Sequence, residues 1–243
     1  MQAAVLAPLL LILGAPAAAE VPFVGCASDG QVGAVAAPAR GEVDHIPAAA
    51  APGLAYYGTR SLGALAPRGW HCFALSGSGG EYLLITPERH GSTDLLGRAK
   101  GVTKGPAVAV GVTYGFTSGR FEVARTIARF FPRHQDFVRE VQALDVETAA
   151  LPSRPYPADA LVRLGDEAIA FTTPAGKMGL GTTHFLLPAR DAISGLVILL
   201  PEEEMSMLEL SVRLPRKDKA LERYILEGTA ARSGVALART TPR

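Results

Sequence analysis

The chain has 243 residues, with 24 Lys and Arg against 23 Asp and Glu and a formal charge of +1. That balance argues against nucleic acid as a partner, since nucleic-acid binders carry a basic excess or patch. The length can bury a substantial core, as one large or two small domains, and the two cysteines allow no more than one internal bridge.

The first segment is apolar and uncharged from Ala3 to Ala15 and runs into Ala17-Ala18-Ala19. Its apolar centre, Val5 to Leu13, is shorter than the about 20 residues a membrane span needs. It is expected to be a signal peptide over residues 1–19, cut near Ala19-Glu20 in an A-x-A context, leaving 20–243 as one mature domain. No Lys or Arg accompanies Met1-Gln2, so a retained N-terminal membrane anchor is the alternative. Export implies a periplasmic or secreted address. In that oxidising setting Cys26 and Cys72 are expected to pair, closing a loop of about 46 residues that chain entropy values at about 4 kcal/mol. Phe23-Val24-Gly25-Cys26 also has the small residue before cysteine that lipidation needs, so a lipid on Cys26 is the competing fate. No later segment has the length and apolarity of a transmembrane helix.

Pro38, Pro47 and Pro52 keep residues 20–60 extended or looped, with a short strand at Leu54-Ala55-Tyr56-Tyr57. Trp70 to Leu75 and Glu81 to Thr86 read as two strands joined by the glycine-rich turn Ser76 to Gly80. Ala107 to Tyr114 is a further strand. The period then becomes helical over 119–131, with Phe121, Ala124, Ile127, Ala128 and Phe131 on one arc, Ser118 as N-cap and Pro132 as the stop. A second helix carries Phe137, Val138, Val141 and Leu144.

Leu151 to Pro157 is a stiff, proline-rich connector, and 151–158 is the place where the domain could subdivide. Beyond it, Ala168 to Thr172 reads as a strand, and Ile193 to Leu200 as one buried on both faces. Leu208 to Leu214 alternates, which predicts one buried and one wet face, with 201–205 as the hairpin connection. Asp218 is expected to cap a last helix that carries Leu221, Tyr224 and Ile225 and ends at Gly228. Strands grouped before and after a helical pair predict an α+β fold. It comprises an N-terminal disulfide-linked β module and a mixed αβ region with antiparallel strands and about three helices.

Strong catalytic motifs are absent: there is no H-E-x-x-H, C-x-x-C, P-loop or EF-hand loop. Gly115-Phe116-Thr117-Ser118-Gly119 lies between a predicted strand and helix, the setting of a nucleophile elbow. Thr117 or Ser118, with His184 as base and Asp166 orienting it, would make a hydrolase. Ordinary helix capping explains the same residues. Gly176 to Thr182 runs G-x-x-G-x-G, which departs from the dinucleotide fingerprint and reads as a turn. The five histidines, at 45, 71, 90, 134 and 184, show no metal-ligand spacing on one element, and no metal or cofactor is expected. Glu202-Glu203-Glu204 reads as a solvated hairpin tip rather than a cation site. Arg125 and Arg129 form a stripe that could meet an anionic envelope component, with Glu122 placed to neutralise it. Arg68, Trp70 and His71 could form a recognition patch, because Trp and Arg dominate binding hot spots. The alternative is that Trp70 packs over the disulfide.

The segments Gly25-Cys26, Asp29-Gly30-Gln31 and Leu65-Ala66-Pro67-Arg68-Gly69-Trp70-His71-Cys72 resemble a family of uncharacterised secreted bacterial proteins. Gly179-Leu180-Gly181-Thr182 and Leu210 to Pro215 are similar to it too. The resemblance spans most of the mature chain and implies that both cysteines belong to one recurring module; it carries no activity. The leading expectation is an exported, soluble, non-catalytic binding protein of the envelope or extracellular space, with the hydrolase as rival.

Overall fold

A computed structural model of the chain describes residues 18–41, 45–96, 102–144, 151–182, 184–201 and 204–237. The apolar segment up to residue 17, expected to be a signal peptide, lies outside these, as do Glu202 and Glu203. The N-terminal part is built of strands: β1 (Ala18–Glu20), β2 (Phe23–Gly25), β3 (Ala27–Gly30), β4 (His45–Pro47), β5 (Leu54–Gly58), β6 (Gly63–Pro67), β7 (His71–Gly77) and β8 (Gly80–Thr86). A short helix α1 (Ser92–Leu95) leads to β9 (Ala107–Tyr114) and the helical pair α2 (Arg120–Phe130) and α3 (Gln135–Leu144). Four strands follow, β10 (Ala160–Arg163), β11 (Ala168–Thr173), β12 (Ile193–Leu200) and β13 (Ser206–Arg213), and then α4 (Glu222–Arg232).

Eight strands form one sheet in the order β10-β11-β12-β13-β9-β8-β7-β3. Every neighbouring pair is antiparallel except β3 with β7. The pairing of β13 with β9 joins strands from both sides of the 151–158 connector into this single sheet. A smaller sheet, β2-β5-β6, packs on one face together with α4. Helices α2 and α3 cover the other.

Side-chain alternation along the central strands feeds two cores. Leu83, Ile85, Val108, Val110, Leu210 and Val212 face the small sheet and α4. Leu84, Ala107, Ala109, Val197, Leu199 and Met207 face α2 and α3. The large sheet is therefore buried on both sides, as the uninterrupted apolar run of β12 predicts.

The fold is α+β with the Cys26–Cys72 disulfide in place, Cα atoms 5.4 Å apart. Its location explains its use. β2 runs parallel to β5 in the small sheet; one residue later β3 runs parallel to β7 in the large one. Cys26 is the residue between, and it is bonded to β7 where the chain changes sheets. The chain approaches so closely there that a Cβ at Gly25 would stand 2.0 Å from the Pro38 carbonyl oxygen. Because Cys26 Sγ is consumed by the bridge, it is not free to carry a thioether lipid. β1 pairs with β4, Ala18 with Pro47 and Ala19 with Ile46, so cleavage after Ala19 would leave Glu20 as the last of the three pairs.

Several local expectations are corrected. There are four α-helices among the described residues rather than about three. The N-cap of α2 is Gly119, with no side-chain capping bond, so Ser118 does not cap it. A 3-10 turn, Arg216–Leu221, precedes α4, and Gly228 lies inside that helix rather than at its end. The polar face of β13 is not wet: Glu209, Ser211 and Arg213 are 6%, 6% and 1% exposed. Loops that close over the sheet bury it.

Candidate functional site

The residues of the hydrolase reading are placed in different surroundings. Thr117 lies in the turn after β9; its hydroxyl donates to the Tyr114 carbonyl at 2.8 Å and accepts from the Gly119 N–H at 3.2 Å. Ser118 is exposed, its Oγ 3.2 Å from Ser78 Oγ. Asp166 pairs with Arg133 at the surface. His184 Nε2 stands 3.3 Å from Glu209 Oε2, with its ring edge-on to Tyr82 at 4.9 Å. Glu209 sits on β13 opposite Gly111 of β9, whereas Asp166 precedes β11, two strands beyond β13 at about 4.8 Å per strand. The carboxylate beside His184 is therefore Glu209, and Thr117, Ser118 and Asp166 are each engaged elsewhere.

The His184 cluster is a tightly supported polar layer. Phe185 accepts from the N–H groups of Val102 and Thr103, at 2.7 and 3.1 Å, and the Leu187 N–H donates to the Thr103 carbonyl at 2.9 Å. Arg213 rises from β13 beneath this crossing. It donates from Nε to Gly105 at 2.8 Å, from Nη1 to Leu187 at 2.7 Å and from Nη2 to Thr103 at 2.8 Å, each time to a carbonyl oxygen. Burial lowers its pKa from the ordinary arginine value. Tyr82 shares a hydrogen bond with Thr113 at 2.8 Å, and burial raises its pKa. The space between Tyr82, Gly111, His184 and Glu209 is about 10 Å³, room for about one water and for no substrate.

The glycine-rich segment is a built turn rather than a loose one. Asp159 accepts from Thr173 Oγ1 at 2.7 Å and from the Leu180 N–H at 2.8 Å. A Cβ on Gly179 would lie 2.0 Å from the Asp159 carboxylate, so any larger residue there would push Asp159 off its hydrogen bonds to Thr173 and Leu180.

Arg68 and Trp70 are likewise tied into the fold. Arg68 donates to the carbonyls of Leu54 at 3.4 Å and Ala51 at 3.1 Å. Trp70 is half-buried against the first core, and its backbone N–H donates to the Tyr57 hydroxyl at 2.9 Å. Burial raises the Tyr57 pKa. His71 opens β7 opposite Thr86. Arg125 pairs with Glu122, and Arg129 lies 4.5 Å over the Tyr156 ring. Arg125 is thus neutralised locally, whereas Arg129 keeps its charge and is held by an aromatic ring and the Arg154 carbonyl.

Two adjoining hollows form a cleft where the hairpin turn between β5 and β6 overhangs the β3-β7-β8 end of the large sheet. They share Pro38, Thr59, Arg60 and Ser61. The first, about 330 Å³, is lined by Arg40, Arg60 and Arg232, and no acidic side chain among the described residues lines it. That volume is within the range of small-ligand sites. Arg40 and Arg60 are exposed and form no ion pair among the described residues. Arg232, from the end of α4, lies with its guanidinium carbon 4.4 Å from the centre of the Tyr56 ring, a cation–π contact. The second hollow, about 240 Å³, is lined by Ser28, Ser61, Ser76 and Glu81.

Glu81 organises the junction. It is 8% exposed, accepts from Thr59 Oγ1 at 2.6 Å, and is also bonded by the Ser61 hydroxyl. Thr59 in turn closes the turn through Leu62, N–H to carbonyl at 2.8 Å. A buried carboxylate thereby holds the turn whose tip presents Arg60. Convergent guanidinium groups over an aromatic floor suit a carboxylate or phosphate, which guanidinium can grip bidentately. Sequence reading missed this cleft because Arg40, Arg60 and Arg232 share no element or spacing.

Compared with protein-family models, curated proteins and solved structures, the chain matches none.

Proposed function

We propose that this is an exported, non-catalytic protein that binds an anionic ligand, an envelope or extracellular component, in the arginine-lined cleft. The observation that carries this reading is the convergence of Arg40, Arg60 and Arg232 on one hollow whose described lining holds no carboxylate. Export to the periplasm or beyond is supported by the single disulfide, since such bonds persist in oxidising compartments. No described helix is long and apolar enough to cross a membrane. The hydrolase reading loses support because Asp166 pairs with Arg133 and the hydroxyl of Thr117 is taken by the Tyr114 carbonyl.

Calorimetric titration of the mature chain with phosphate, citrate and oligogalacturonate tests the reading. A hydrogen bond to a charged group contributes about 1.5–3 kcal/mol, so Arg60→Gln is expected to weaken binding about tenfold or more. Raising the salt concentration weakens it further, because the guanidinium groups are exposed. Arg125→Gln, on the far helix, leaves affinity unchanged. Equal affinities for the wild type and Arg60→Gln sink the proposal.

A further inference from the structure

The arginine hollow continues into a second hollow of different chemistry, and the pair selects a ligand with two kinds of group. Ser76 of β7 stands opposite Glu81 of β8, and Ser28 of β3 stands opposite Ala74 of β7, two residues along. All three side chains issue from the face that packs against the small sheet, so three neighbouring strands offer Ser28, Ser76 and Glu81 to one cleft. The row spans roughly 10 Å at the usual strand spacing. Neither Ser28 nor Ser76 uses its hydroxyl in a hydrogen bond to a described residue. Glu81 takes hydroxyl donors from Thr59 and Ser61, yet a carboxylate has about four acceptor sites. It retains acceptor capacity toward the hollow.

The charges set the orientation. Glu81 repels a second anionic group and accepts hydrogen bonds from hydroxyls. Arg40 and Arg60 at the other end attract the anion. We infer that the ligand is an acidic saccharide, its carboxylate or phosphate held by Arg40 and Arg60 and its hydroxyls by Ser28, Ser76 and Glu81. The inference rests on the anion-binding reading above and adds the hydroxylated half of the ligand.

The experiment is a titration of the mature chain and its Ser76→Ala, Ser28→Ala and Arg60→Gln variants, each checked for an unchanged unfolding midpoint. The probes are tetragalacturonate, its neutral methyl ester, glucose 1-phosphate, inorganic phosphate and the sugar-free zwitterion glycylglycine. The acidic saccharides are expected to bind at least tenfold tighter than inorganic phosphate or the neutral ester. Ser76→Ala or Ser28→Ala weakens saccharide binding about threefold to tenfold, as loss of one neutral hydrogen bond does, and leaves phosphate binding unchanged. Preference for tetragalacturonate identifies a uronate and preference for glucose 1-phosphate a sugar phosphate; both support the inference. Phosphate or glycylglycine binding as tightly as the saccharides, with no effect of either serine substitution, overturns the inference while the anion site stands. Absence of binding by every probe, or binding indifferent to Arg60→Gln, overturns both.

Discussion

Replacing Arg213 with Met removes the guanidinium that ties β13 to the 102–106 and 184–189 segments. Its three hydrogen bonds reach the carbonyls of Gly105, Leu187 and Thr103. At about 1.5–3 kcal/mol for each bond to a charged donor, their gross loss is roughly 4–9 kcal/mol. Two terms reduce it. The Thr103 carbonyl keeps the Leu187 N–H as donor, so it is not orphaned. Methionine also relieves the desolvation that lowers the Arg213 pKa, and exchanging a buried charge for an apolar side chain often returns about 1–4 kcal/mol. A net loss of about 3 kcal/mol remains, which for a chain of this size lowers Tm by about 6–12 °C. Urea unfolding reads the effect as a lower midpoint at unchanged slope. Hydrogen exchange adds a local readout, because the Thr103 and Leu187 amides should lose protection ahead of the β9 and β12 amides. Arg213→Lys is expected to fall between wild type and Met, since a single ammonium cannot reproduce the planar three-way geometry. If Arg213→Met unfolds within about 1 kcal/mol of wild type, less than a single bond to a charged donor contributes, the three carbonyl bonds do not hold these segments and the reasoning fails.

Reduction of the disulfide, or Cys26→Ala with Cys72→Ala, is expected to cost about 4 kcal/mol from its sequence separation of 46; a urea midpoint indifferent to reductant would count against the bridge. Tyr82 ionises above its ordinary pKa because burial opposes the phenolate. Between about pH 10, where an unfolded tyrosine titrates, and the higher folded pKa, only the unfolded chain has lost this proton. Stability is therefore full below about pH 10 and falls as pH rises through that window. Tyr82→Phe should flatten this alkaline slope, and an unchanged slope would assign it to other groups, Tyr57 first among them.

Legibility in the sequence followed burial pattern and turn chemistry. β9 and β12 were readable to the residue because short apolar runs of eight residues, rich in Val and Ile, suit a strand buried on both faces. The turn at Ser78-Gly79 was readable because glycine accepts its backbone geometry; Gly80 has φ +154°. β10 gave no such signal. All four of its residues are exposed, with Val162 at 58%, and the strand is held by its backbone ladder to β11 and by Arg163, which donates to the Phe130 carbonyl at 2.9 Å. β13 was legible as a strand and misread as half-wet. Alternation reports that two faces differ, and it cannot report that a loop bearing His184 covers the polar one. Most of the candidate site was illegible for a related reason. Arg68 and Trp70 are neighbours in sequence and are tied into the fold, whereas Arg40, Arg60 and Arg232 are remote in sequence and meet at one cleft.

The sequence by itself determined the long, strongly patterned elements of this protein, the α+β class and the one possible disulfide. Periodicity, turn residues and a count of two cysteines are properties of neighbouring positions or of composition. Only the tertiary structure decided which polar side chains are engaged within the fold and which are offered outward. That outcome depends on how the loops close over both faces of the large sheet. Burial set Glu209 against His184 and drew Arg213 into internal hydrogen bonds beneath one loop. The turn held by Glu81 left Arg40 and Arg60 directed at a cleft, where their charges find no partner among the described side chains.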